Sequence, residues 1–129
     1  EENIFSICTS DKGFSVYDVR QNVKCSKLTM HMQGNSLSWH PLEANNIIVG
    51  SEDSNCYLFD IRNLKNPKKC FGDHANSVLD VDFSPTGQEF ASASYDRSIR
   101  LYPIDGKRSR EVYYTDRMQR VFCVTYTAD

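Results

Sequence analysis

VLDVDFSPTGQEFASASYDRSIRLYPI, residues 78–104, is the stretch whose reading decides the fold. VLDVDF (78–83) and SIRLYP (98–103) alternate apolar and polar residues, and EFASASYD between them is an apolar run ending in small residues and Asp. A period of two places successive side chains on opposite faces of a strand. Ser84-Pro85-Thr86-Gly87 is a tight turn, because Pro fixes φ and Gly accepts a positive one. Asp96 marks a second turn, where a short carboxylate bonds its own backbone. The stretch predicts three strands joined by two turns.

The same pattern recurs on both sides. Asp11…Tyr17, Asp53…Phe59 and Asp96…Tyr102 align without gaps, their Asp residues 42 and 43 positions apart. Within them Phe14 and Val16, Cys56 and Leu58, and Ile99 and Leu101 fall on one face. A second series, LSWHP (37–41), VDFSP (81–85) and VTYTA (124–128), places Trp39, Phe83 and Tyr126 44 and 43 positions apart. A third, IFSICTSD, NIIVGSED and EFASASYD, reads as strands entering the Asp turn. A fourth is more polar, VKCSKL (23–28), PKKCFG (67–72) and REVYYT (110–115), which suits an outer edge strand. Each unit is thus four strands in about 43 residues. An antiparallel sandwich has turn signals but no such fixed period.

Four-stranded units of this length, ending the third strand on an aromatic-Asp pair (Tyr17-Asp18, Phe59-Asp60), resemble WD-repeat β-propellers. The fold class implied is all-β: a partial propeller of about three blades of four antiparallel strands. Residues 1–29 form the end of one blade, 36–72 a second, 78–115 a third, and 121–129 the first strand of a fourth. Such a piece does not close a ring, so the resemblance implies a fragment, with the other blades in sequence beyond it. The family's hydrogen-bonded network falls on His74, Ser92 or Ser94, Asp96 and Tyr102, with Tyr102 in place of Trp. Met30 and Arg117 occupy the position of His74 in the neighbouring units, so their networks should be incomplete. His74 and Asp96 also form an acid–base pair on paper, but no nucleophile accompanies them and the repeat accounts for both.

Other chemistry is not signalled. The five cysteines are odd in number and form no CxxC, which argues against a disulfide framework or zinc finger and for core filling in a reducing compartment. The sequence contains no glycine-rich phosphate loop and no HExxH, so no cofactor, metal or enzymatic activity is expected. No apolar run approaches the roughly 20 residues of a membrane helix. His40, in a strand-ending His-Pro, reads as a turn residue. What remains is surface charge. The net charge is −2, yet 106–120 carries Lys107, Arg108, Arg110, Arg117 and Arg120 against Glu111 and Asp116. Lys65, Lys68 and Lys69 form a smaller group that reads as solvated loop charge. The larger group, with Tyr113 and Tyr114, suits phosphates and stacked bases.

Residues 79–129, and above all SREVYYTDRMQRVFCV (109–124), resemble the Sof family of WD-repeat proteins; YDVR (17–20), FDIR (59–62) and NLKNPKK (63–69) fit the same pattern. The resemblance implies a nuclear and nucleolar scaffold of the small-subunit processome. Its partners there are other processome proteins and U3 small nucleolar RNA or pre-ribosomal RNA, with Lys107, Arg108, Arg110, Arg117 and Arg120 as contacts. The alternative it implies is a substrate receptor of a cullin–RING ubiquitin ligase, docked on its adaptor through Arg20 and Arg62.

Overall fold

The computed structural model of the protein describes residues 3–20, 23–106, 108–116 and 120–127. Among these the regular structure is all strand, in three antiparallel sheets. The first is β1 (Ile4–Cys8), β2 (Gly13–Asp18) and β3 (Val23–Thr29), in that order. The second is β4 (Gly34–Trp39), β5 (Asn46–Ser51), β6 (Cys56–Asp60) and β7 (Lys69–Phe71). The third is β8 (Val78–Phe83), β9 (Glu89–Ser94), β10 (Ser98–Pro103) and β11 (Arg110–Tyr114). The stretch at 78–104 folds as its periodicity predicts. Each sheet is one blade of a partial propeller. β7 is shorter than the polar run PKKCFG: Pro67 has no N–H for the ladder, and Lys68 N–H makes a bond to Leu58 O just ahead of the strand.

The blades pack face to face. Phe14 and Val16 of the first, with Met30 at the entry to the second, bury against Ile47, Val49, Phe59 and Leu64 of the second. Ile48, Cys56, Leu58 and Phe71 of the second bury against Val78, Val81, Phe83, Phe90 and Tyr102 of the third. β5 is therefore covered on both faces, which is why Ile47, Ile48 and Val49 are apolar without alternation. Ile99 and Leu101 are only half-buried, on the face of the third blade that no sheet covers among the described residues. Phe90, with no exposed surface, stacks on Tyr102 at 5.1 Å and meets Phe71 edge-on at 5.0 Å. Burying a side chain of this size contributes about 1.5–3 kcal/mol.

The inner strands β4 and β8 run side by side in step, held by side chains. Ser36 Oγ donates to Asp80 Oδ1 at 2.7 Å, and the N–H of Phe83 donates to Ser38 Oγ at 3.3 Å. Residues 120–127 continue the series without joining a ladder. The N–H groups of Val124 and Tyr126 donate to Asp80 Oδ2 (2.9 Å) and Asp82 Oδ2 (2.8 Å). Edge N–H groups of one inner strand are thus satisfied by Ser and Asp side chains of the strand before it. His40 makes a further link between blades. Its Nδ1 accepts the N–H groups of Leu42 (3.1 Å) and Glu43 (2.9 Å), which leaves Nε2–H to donate to Gly87 O at 3.0 Å. The turn residue expected from His-Pro is therefore also a bridge to the next blade.

Candidate functional site

Every blade turns on its Asp. Asp11, Asp53 and Asp96 accept the N–H two residues on, from Gly13 (3.1 Å), Asn55 (3.0 Å) and Ser98 (2.9 Å). The residue between, Lys12, Ser54 or Arg97, is held at a φ of 69–71°. L-residues seldom adopt that region, and the Asx turn holds it. These turns define one rim of the blades, and the strand ends at Asp18, Asp60 and Pro103 define the opposite rim.

The third blade builds the fullest network. Asp96 Oδ2 accepts from His74 Nδ1–H at 2.9 Å and from the N–H of Ala75 at 2.9 Å, and the Ser98 hydroxyl donates to Oδ1. Ser92 Oγ–H donates to His74 Nε2 at 2.6 Å. Burial lowers the His74 pKa against the opposing pull of Asp96, so the imidazole is neutral at pH 7. Burial pushes the Asp96 carboxyl up, but the bonds from Ser98, Ala75 and His74 outweigh it and hold the pKa at about 2. The acid–His–Ser order has the form of a relay, but the His74 side chain has no exposed surface and Ser92 is fully buried. The arrangement holds the turn of the third blade to the strand entry at Asp73–Ala75.

Two expectations are refined here. Tyr102 does not bond the His–Ser chain; its hydroxyl accepts the N–H of Asp73 at 3.2 Å while its ring packs on Phe90. A phenol carries its polar atom at the far tip of the ring, past the serines that an indole N–H reaches. Ser94 Oγ serves the adjoining backbone, donating to Ser77 O at 2.8 Å. In the second blade Met30 stands where a histidine would, and the Tyr57 hydroxyl donates to Asp53 instead. Burial, then the bond to Asp53, raises the Tyr57 pKa to about 12. Beside this substitute lies a cleft of about 180 Å³, lined in part by Met30, Met32, Asp53 and Phe59.

On the opposite rim Arg20 and Arg62 repeat one geometry. Arg20 Nε and Nη2 donate to Asp18 Oδ1 (3.0 Å) and Oδ2 (2.8 Å), and Arg62 does the same to Asp60 at 3.0 and 2.7 Å. The Arg62 side-chain bonds hold the Asp60 pKa down at about 2. Each arginine closes its own strand end and still presents much of its surface, 59% and 70%.

The basic run does not form one surface. Arg110 pairs with Leu101 at the start of β11, and Arg108 lines a cleft with Lys69, Asp73 and Ser109. Arg120 lies beyond the far end of β11, against Tyr95 in the Asp96 turn. The intervening strand of five residues is about 16 Å long at the usual rise, so the run is split between the two rims. Lys107 and Arg117 lie outside the described residues. Lys69 Nζ donates to Ile104 O and Lys68 Nζ to Asn46 Oδ1 (3.4 Å), so both serve contacts between or within blades. Sequence reading missed Tyr95, which the Asp beside it concealed as part of a turn. It also missed the Ser36, Ser38, Asp80 and Asp82 clasp, for which the signal was polar residues repeating at 44 positions on otherwise apolar strands.

Fold and networks together define a partial β-propeller of antiparallel blades, and residues 65–102 match the family described as WD domain, G-beta repeat. Over all 129 residues the chain is similar to the DDB1- and CUL4-associated factor 13 proteins of Danio rerio (46% identical) and Homo sapiens (47%), and to Protein SOF1 of Saccharomyces cerevisiae (44%). The chain spans 29% of the length of the first two and 26% of the third.

Proposed function

We propose that the chain is part of a non-catalytic scaffold of the small-subunit processome in the nucleolus. There it supports pre-ribosomal RNA processing and small-subunit assembly alongside other processome proteins and U3 or pre-ribosomal RNA. The observation that carries this reading is the likeness to yeast Protein SOF1 over the whole chain, which joins the Sof-like run at 109–124. The geometry supports it. The titratable groups that form a relay are sealed inside a blade, while the cations face outward on two rims, as a rigid spacer between partners requires. Arg108→Glu, Arg110→Glu and Arg120→Glu together, in the whole protein, should release it from pre-ribosomal particles in a gradient. A folded variant that sediments unchanged rejects the reading.

A second reading has its own support. Relatives of this length match carry the name DDB1- and CUL4-associated factor, and Arg20 and Arg62 are presented identically by two adjacent blades. Such a pair suits an adaptor of a cullin–RING ligase, which would make the protein its substrate receptor. Replacing both with Ala should abolish adaptor pull-down; retained binding counts against the role.

A further inference from the structure

We infer that Tyr95, Arg120 and Phe122 form a docking surface for single-stranded RNA on the rim of the Asp turns. The inference rests on the scaffold reading and gives that scaffold its RNA-facing site. The Arg120 guanidinium lies over two rings, 5.4 Å from the centre of Tyr95 and 4.3 Å from that of Phe122. Tyr95 is 40% exposed and Phe122 59%. The N–H of Val121 donates to Ser94 O at 3.2 Å and fixes Arg120 beside the turn.

The repeat itself decides which exposed aromatics matter. One unit earlier the same crossing joins the second blade to the third. Glu52 stands there for Tyr95, and Ser77 for Arg120, with Ser77 Oγ donating to Glu52 O at 3.1 Å. A following blade is packed against that crossing, and Glu52 is still exposed. The exposure of Tyr95 is therefore a property of the position and not of an uncovered edge. Tyr113 fails the same test: it pairs with Ile99 as Phe71 pairs with Cys56, and Phe71 is buried against Phe90 and Tyr102 of the next blade, so Tyr113 is a packing position. The fold fills the Tyr95 position with Ser10 and Glu52 elsewhere, and the Arg120 position with Gln33 and Ser77. Neither an aromatic nor an arginine is needed for the crossing to form.

The chemistry selects the partner. A guanidinium lying over aromatic rings keeps its N–H edge for a phosphate, and rings as exposed as Tyr95 and Phe122 offer surface on which bases stack. Asp96, the nearest acid in sequence, is turned inward and spent on His74, Ala75 and Ser98. An acidic peptide would satisfy the charge and leave the rings unused.

The test uses the whole protein, with a labelled single-stranded oligouridylate and a labelled oligoglutamate as probes. Tyr95→Ala and Phe122→Ala should each weaken oligouridylate binding about tenfold. Arg120→Lys should weaken it several-fold although the charge is kept, and Lys65→Ala, at a solvated loop cation outside this surface, should leave it nearly unchanged. Binding that ignores Tyr95 and Arg120 overturns the inference, as does oligoglutamate binding with the same dependence, which marks an acidic protein segment. Ring-dependent oligouridylate binding by a protein absent from pre-ribosomal particles upholds this surface and sinks the processome reading alone. A protein present in those particles whose oligouridylate binding ignores these residues does the reverse.

Discussion

Asp96→Ala removes the acceptor for three N–H groups, those of His74, Ala75 and Ser98, and for the Ser98 hydroxyl. The His74 side chain is fully buried and that of Asp96 is 13% exposed, so water reaches these donors poorly. Each buried donor left unsatisfied costs about 1–3 kcal/mol, and the backbone at the turn recovers part through solvent; a loss of about 3–5 kcal/mol follows. Asp53 gathers fewer donors, Asn55 N–H and the Tyr57 hydroxyl, so Asp53→Ala should cost about 1–3 kcal/mol. The acid limb follows the same groups. Asp96 is held at about 2 against an ordinary 3.8, so its stabilisation is present above pH 3.8 and is lost as pH falls towards 2. That shift corresponds to about 2 kcal/mol. The His74 pKa is lowered from 6.5, so the unfolded chain takes up the proton first and stability begins to fall below pH 6.5. Native-state hydrogen exchange of the β9 and β10 amides in the whole protein, across pH, reads both. Asp96→Ala should lower protection there more than Asp53→Ala does, and should erase the step between pH 4 and 2. Equal losses for the two variants, or an unchanged acid step, would refute the reasoning.

Gly87 adopts a φ of +72°, and an added Cβ would fall 2.2–2.4 Å from the His40 ring. Gly87→Ala should lose about 2 kcal/mol or more of stability in denaturant melts, with part recovered in the double variant with His40→Ala, because the clash is then gone. Phe90→Ala should cost about 3–5 kcal/mol in the same melts, since its ring is the shared surface of Phe71, Phe83 and Tyr102; a loss below 1 kcal/mol would mean the blades are not packed this way.

The strands and their spacing were legible because period-two alternation and Asp turns are local, and local signals survive in one sequence. The sheets that cover β5 were not, since the unbroken run Ile47-Ile48-Val49 fits a strand covered on both faces but does not say which sheets cover it. The partners of His74 were predictable because each lies at a fixed place in the repeat. The role of Tyr102 was misread because its residue type set the reach of its hydroxyl, and spacing carries no information on reach. The basic run looked like one patch because residues adjacent in sequence were taken as adjacent in space. A strand between Arg108 and Arg120 separates them by its own length. The Tyr57 donor to Asp53 was hidden for a simpler reason: a tyrosine four residues past the Asp has no counterpart in the other units, where Ser15 and Arg100 stand.

The most direct measurement is affinity purification of the whole protein from its own cells, with U3 small nucleolar RNA and the ligase adaptor quantified in the same eluate. The scaffold account predicts enriched U3 RNA that falls when Arg108, Arg110 and Arg120 are reversed to Glu. Enrichment of the adaptor alone, with U3 RNA at background, would contradict it.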